Sequence, residues 1–167
     1  MLYIFGGLPG TGKSELASYL SQVLKATYLR IDTIEQSLRN SGMTAMGPEG
    51  YELAYRVAID NLKLDIDVVA DSVNPLKITR QAWRQVAAEA GVAFQEIEVI
   101  CSDQFEHRRR VESRQSQVSG LRLPNWNDVL QREYDVWDSN PIVIDTAGHT
   151  AADSKQLLER QLAIKVL

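Results

Sequence analysis

Apolar residues recur along this chain in two alternating rhythms. Short continuous apolar runs fit strands buried on both faces, and stretches with apolar positions three and four residues apart fit helices packed on one side. The first run is Leu2–Phe5, and a stripe through Leu16, Tyr19, Leu20, Val23 and Leu24 predicts a helix from Lys13 to about Lys25. Thr27–Ile31 reads as a second strand ending at Asp32, which heads a short helix through Leu38 or Arg39. Beyond a glycine-rich loop over 42–50, Tyr51, Tyr55, Ala58 and Leu62 form the next stripe, widened by Val57 and Ile59. Ile66–Ala70 is the third expected strand, ending in Asp71, with a turn enforced at Asn74-Pro75. Ile78, Ala82, Val86 and Ala90 share one face of a helix closed by Gly91. A fourth strand over Phe94–Cys101 leads to a charged helix from Asp103 to about Gln117, then a polar loop to Pro124. The pattern predicts a helix over Trp126–Trp137, a fifth strand over Ile142–Ile144, and a last helix opening at Thr150 with Asp153 at capping-box spacing.

Strands alternating with helices predict an α/β fold, a mostly parallel sheet with helices on both faces and ligands bound beyond the carboxyl ends of the strands. Gly7, Asp32, Asp71, Ser102 or Asp103, and Asp145 all stand just past strand ends. They are expected to converge on one crevice.

Between the first strand and the first helix lies Gly7-Leu8-Pro9-Gly10-Thr11-Gly12-Lys13-Ser14, which fits the phosphate-loop pattern G-x-x-x-x-G-K-[ST] at every fixed position. In that pattern the backbone N–H groups of Gly7, Pro9-flanking Gly10, Thr11 and Gly12 cradle phosphate oxygens at a helix N-terminus. Lys13 reaches the β- and γ-phosphates, and the Ser14 hydroxyl is placed for Mg²⁺. The dinucleotide fingerprint G-x-G-x-x-G is excluded, because counting from Gly10 and Gly12 its third glycine position holds Glu15.

Phosphoryl transfer asks a protein for in-line positioning and charge neutralisation. Asp71, at the end of an apolar strand, suits Mg²⁺, with capping of the Asn74-Pro75 turn as its structural alternative. Asp32 suits the base that orients an acceptor hydroxyl, with helix N-capping as its alternative. Arg110 and Arg114 are spaced i,i+4 in the basic run Glu106–Arg114, so one can lie over a base ring while the other reaches the transferred phosphate. Arg122 joins them if its loop folds down as a lid, and Thr146 in a small-residue turn can border the base. His107 and His149 have no companions at zinc spacing, and Trp83, Trp126 and Trp137 are expected mainly in helix packing, Trp126 alternatively in a pocket wall.

The 167 residues, 44% of them hydrophobic, suffice for one core and one domain. A net charge of −4 gives no basic footprint for nucleic acid. The single cysteine, Cys101, closes an apolar run and is expected as a buried thiol in a reducing compartment. No signal peptide or membrane span is read, and the phosphate loop starts almost at Met1, so a cytoplasmic protein without a leader is expected.

Taken together, Gly7–Ser14, Tyr28–Glu35, Val68–Pro75 and Glu106–Arg114 with Pro124, Trp126 and Trp137 resemble the small bacterial P-loop kinases often labelled AAA-family ATPases. That broad group includes chloramphenicol phosphotransferase, zeta toxins and polynucleotide kinases. The resemblance implies a three-layer P-loop NTPase fold with a five-stranded sheet in order 2-3-1-4-5, and an arginine-bearing lid around 103–124. It also implies ATP and Mg²⁺ as cofactors, Lys13 and Ser14 on phosphate and metal, Asp32 as base, and Arg110 and Arg114 over the nucleotide. One position departs: several relatives carry Arg three residues after the strand-two Asp, where this chain has Glu35. The expected activity is ATP-dependent phosphorylation of a hydroxyl on a small molecule or nucleotide. A nucleotide-hydrolysing switch and a toxin-type kinase are the alternatives, and the length argues against a ring-forming motor.

Overall fold

The computed structural model describes residues 1–43 and 47–164. Five strands, β1 (Leu2–Gly6), β2 (Thr27–Arg30), β3 (Val68–Asp71), β4 (Phe94–Ile100) and β5 (Ile142–Asp145), form one sheet in the order β2-β3-β1-β4-β5. Every pairing is parallel, as continuous apolar strands covered on both faces require. The helices are α1 (Lys13–Leu24), α2 (Ile31–Asn40), α3 (Glu49–Lys63), α4 (Lys77–Ala90), α5 (Gln104–Ser113), α6 (Trp126–Leu130) and α7 (Ala151–Leu162).

Strand parity divides the core into two layers. Leu2 and Ile4 of β1, with Val68 and Ala70 of β3, pack on α3 and α4 around Ala58, Leu62, Trp83 and Ala87. Tyr3 and Phe5, with Val69, face the opposite layer, built on Leu16 and Leu20 of α1 and Leu158 of α7. Because side chains alternate along a strand, Asp71 emerges on the Val69 side. That is the side on which α1 begins with Lys13. In the β2–β3 register Arg30 stands opposite Asp71, and Tyr28 one step earlier opposite Val69.

Several expected elements are corrected. Asp32 does not cap α2: the helix begins at Ile31, directly after β2, with Arg30 in the cap position and Asp32 in the first turn. The charged helix stops at Ser113, and Arg114 turns to an extended conformation beyond it, because no apolar residue in the polar run 114–117 anchors another turn. Its true N-cap is Asp103, which accepts hydrogen bonds from the N–H groups of Phe105 and Glu106. The inward face of α4 is Arg80, Trp83, Val86 and Ala87, whereas Ile78 is 70% exposed. Val57 of α3 is also exposed.

The helix expected over Trp126–Trp137 ends at Leu130, and the segment beyond it is held against Arg80 and the start of α4. This fully buried guanidinium donates to the carbonyls of Asp135 and Val136, all at 3.1 Å, and stacks 4.6 Å from the Trp137 ring centre. Asp135 in turn accepts from the Lys77 N–H at the start of α4 and donates its own N–H to the Pro75 carbonyl. The Asp135 N–H, which a helix continued from α6 would direct to the Gln131 carbonyl, is thus spent on Pro75. The Arg80→Ala variant leaves the Asp135 and Val136 carbonyls short of donors and strips a cation from Trp137. It should lose about 3 kcal/mol of stability, read as a lowered urea midpoint by tryptophan fluorescence.

Candidate functional site

The phosphate loop leaves the central strand β1 and delivers its chain straight into α1. Gly12, with φ of 91°, precedes Lys13. Gly7, at φ 136°, lies so close to β4 that an added Cβ would stand 2.2 Å from the Val99 carbonyl oxygen. Gly10, at φ 88°, carries α5 on its back: a Cβ there would meet the Val111 side chain at 2.5 Å. Only glycine satisfies both the left-handed backbone and the close contact. Beside that contact, His107 donates from Nε2 to the Pro9 carbonyl at 2.9 Å and meets Trp126 edge-on at 5.1 Å. Trp126 therefore packs α6 onto α5, and His107 tethers α5 to the loop.

Lys13 and Asp71 form the electrostatic centre. Lys13 Nζ donates to Asp71 Oδ1 at 2.8 Å, with side-chain exposures of only 8% and 1%. The Tyr28 hydroxyl donates to Asp71 Oδ2 at 2.6 Å from the neighbouring strand. Burial by itself pushes the Asp71 carboxyl upward, but the Lys13 charge, with hydrogen bonds from Lys13, Tyr28 and Ser14, holds it below the ordinary carboxylate value. Tyr28 rises far above a normal phenol, through burial first and then the Asp71 charge. It is therefore a permanent donor. Asp71 spends its carboxylate on this network, not on capping the Asn74-Pro75 turn.

One cleft of about 870 Å³ opens in front of these groups. Lys13, Ser14, Asp32, Arg110 and Arg114 all line it, together with Pro9, Gly10 and Gly12. Asp32 enters it with no hydrogen-bond or ion-pair partner among the described residues. Arg114, half-buried, has an Nε with no partner among the described residues; burial drives its guanidinium below its ordinary value and the Asp32 charge opposes this. A smaller cavity of about 180 Å³ lies on the other side of Gly12, bounded by Arg110, Thr146 and His149. Arg110 is fixed there, donating to Thr146 Oγ1 at 2.7 Å, to the Thr146 carbonyl at 2.9 Å and to Glu106 at 2.6 Å. Thr146 donates to the Thr11 carbonyl at 2.8 Å, tying the β5 end to the loop.

Not every strand-end residue converges. Asp103 is committed to capping α5, and Asp145 accepts from the N–H groups of Ser102 and Ala147, so both are structural. Gly7 and Thr11 line neither cavity; Gly7 serves the close approach to Val99, and buried Thr11 donates to the Leu8 carbonyl. Conversely, Tyr28, Tyr51 and Arg132 were not read as site residues. Tyr28 carried the one available signal, a polar-tipped aromatic in a short buried strand, whereas Tyr51 and Arg132 were hidden inside helical patterns. Cys101 is buried as expected.

With this geometry in view, comparison with known proteins gives the family. The sequence profile described as AAA domain matches residues 2–132. This chain belongs to that family. No curated protein matches the chain. Among solved structures, a protein of Chloroflexus aurantiacus aligns at 19% identity with a TM-score of 0.71, covering 97% of this chain and 95% of that one. The APS kinase of Mycobacterium tuberculosis, solved with AMPPNP and APS, aligns at 20% identity and TM-score 0.64 over 97% of this chain and 96% of its own. A gluconokinase of Sinorhizobium meliloti aligns at 14% identity and TM-score 0.66, over 96% and 90%. These likenesses establish the P-loop NTPase fold. Among the described residues no helix is long and apolar enough to cross a membrane.

The Lys13–Asp71 pair sets an acid limit on stability. A carboxyl held low in the folded state stabilises fully above its unfolded value, near 3.8, and that contribution is lost as pH falls toward the folded value. Asp71→Asn should flatten the part of the stability–pH profile lying below pH 3.8. By leaving Lys13 buried and unpaired it should also cost about 3 kcal/mol at neutral pH, measured by urea unfolding across a pH series.

Proposed function

We propose that this protein is an ATP-dependent phosphotransferase that moves the γ-phosphoryl group of ATP to a hydroxyl of a small molecule or nucleotide. One observation carries the reading. A carboxylate with no partner among the described residues, Asp32, faces the same cleft as the phosphate-loop residues Lys13 and Ser14, and it is not the cap of its helix. A free carboxylate at that place suits the orientation and deprotonation of a hydroxyl nucleophile.

In this reading the triphosphate lies along the loop with Lys13 on its terminal phosphates, and the base occupies the smaller cavity between Gly12, Arg110 and Thr146. Ser14, which lines the cleft, would hold Mg²⁺ by its hydroxyl, and Asp71, both of whose oxygens are taken by Lys13 and Tyr28, would act on it through water. Bound there, the ion supplies neutralisation of phosphate charge. Asp32 orients the acceptor hydroxyl and takes its proton as the bond to phosphorus forms, while Arg114 meets the charge on the transferred group. The stretch from Arg114 to Pro124, which lines the cleft, acts as the lid over a single catalytic domain. The complex of the APS kinase with AMPPNP supports ATP as the donor. A cytoplasmic setting, with ATP abundant and the Cys101 thiol reduced, suits the chemistry.

Two substitutions test the proposal. Lys13→Ala should abolish AMPPNP binding in calorimetry while the circular dichroism spectrum is retained; intact binding would remove its foundation. Asp32→Asn should keep AMPPNP affinity and lose phosphoryl transfer by about 100-fold or more, followed with radiolabelled ATP against a metabolite pool. Equal product from that variant would strike out Asp32 as base.

A further inference from the structure

The cleft is far more cationic than ATP requires. Seven cationic side chains and three carboxylates line it, in a chain whose net charge is −4. Lys13, Arg110 and Arg114 serve the nucleotide in the reading above. Four arginines remain, Arg30, Arg39, Arg122 and Arg132, against Asp32 and Glu35, since Glu15 is paired with Lys155; Arg30 is partly answered by Asp71 at 3.8 Å. Glu35 is already answered by Arg39 at 3.3 Å, and burial lifts its carboxyl above the ordinary value before Arg39 pulls it back. The acceptor half therefore holds a surplus of positive charge.

Two of these arginines are poised for a ligand. Arg30 lies 82% buried beside the phosphate loop; its Nη1 donates to Gln117 at 3.1 Å, but its Nε is buried with no hydrogen-bond partner among the described residues, 3.8 Å from Asp71 Oδ2. Arg30 thus shares its charge with Asp71 at ion-pair distance, while the Nε–H itself is left without a hydrogen-bond acceptor, which is costly for a buried donor. Arg132, anchored by its N–H on the Val129 carbonyl at the end of α6, lines the cleft near Glu35 and Tyr51, and both feel its charge. Among the described residues it makes no ion pair within 4 Å. Tyr51, its phenol pushed up to about 12 chiefly by burial, stays a neutral donor on the same wall.

We propose that the phosphate acceptor is a hydroxyl compound bearing its own oxyanion (phosphate, sulfate or carboxylate) held by Arg30 and Arg132 beside Asp32. Planar guanidinium groups match such oxyanions in geometry and in charge. Arg132 brings a cation to the Glu35 side of the cleft from a different element. The inference rests on the kinase reading, and its test separates the two. The chemistry itself balances: the acceptor oxygen bonds to the γ-phosphorus, the bond to the β–γ bridging oxygen breaks, ADP leaves, and the hydroxyl proton passes to Asp32.

The experiment uses the full chain with Mg·ATP and a panel of sugars and nucleosides, each offered as the neutral compound and as its phosphate, sulfate or carboxylate derivative. Phosphorylated product should form only from oxyanion-bearing members, and the derivative that works identifies which oxyanion is read. With that acceptor, Arg132→Gln should raise KM by about tenfold or more while kcat moves much less and AMPPNP affinity holds, and Arg132→Lys should recover part of the loss. Transfer to neutral members as efficient as to their charged partners, or an unchanged acceptor KM in Arg132→Gln, overturns the inference and leaves the kinase reading standing. No transfer to any member, with AMPPNP still bound, overturns both.

Discussion

The ion pair between Lys13 and Asp71 is the interaction on which the rest of this structure depends. Two opposite charges almost wholly removed from water are stable together only if each has further partners and the surrounding chain cannot let them part. Here the surroundings are the three strands β2, β3 and β1, side by side. Asp71 ends the middle one, Tyr28 reaches it from one neighbour, and the loop that carries Lys13 rises from the other. Any other strand order would separate these groups. The sheet order and the site are one constraint seen at two scales.

A second set of ties holds the opposite side of the loop. Val111 presses on Gly10, His107 bonds the Pro9 carbonyl, and Arg110 bonds Thr146, which itself bonds Thr11. Helix α5 is thus tied to the loop along its length. Those ties end at Arg114. Its backbone is extended past the helix end, and its side chain has one long contact, to the Pro124 carbonyl at 3.4 Å. An arginine at that boundary can follow the 114–124 stretch while Arg110, one turn earlier, stays fixed against the β5 end.

Much of this was legible in the sequence. The phosphate loop is a local pattern, and the five apolar runs announce a parallel sheet, so strand number and the strand-end positions of Asp32 and Asp71 follow directly. The capping box at Thr150 and Asp153 forms as its spacing requires. What periodicity could not show are features that depend on contacts distant in sequence. Arg80 looks like a surface residue of α4, and only the backbone carbonyls of Asp135 and Val136 make burying it tolerable. Helix α6 is shorter than its pattern for a related reason, since a helical pattern from Trp126 to Trp137 gives no hint that the distant Pro75 carbonyl will claim the Asp135 N–H. Ile78 misled for the complementary reason: it sits two residues, about half a turn, before Arg80 and so on the other face of α4, and apolar character alone does not fix which face turns inward.

Shortening α6 matters beyond topology. Continued to Trp137, the helix would carry Arg132 in mid-span, its direction set by helical phase alone. Because Arg80 and Arg84 hold the following segment against α4, the latter through bonds to Asp138 and Glu96, the chain instead turns after Leu130 and sends Arg132 into the cleft. Two structural arginines thus bear on where Arg132 points. The cleft's positive charge is accordingly an arranged property of the fold. In a protein whose net charge is negative, a concave surface that gathers seven cations focuses attraction on anionic ligands and lets neutral ones pass without preference.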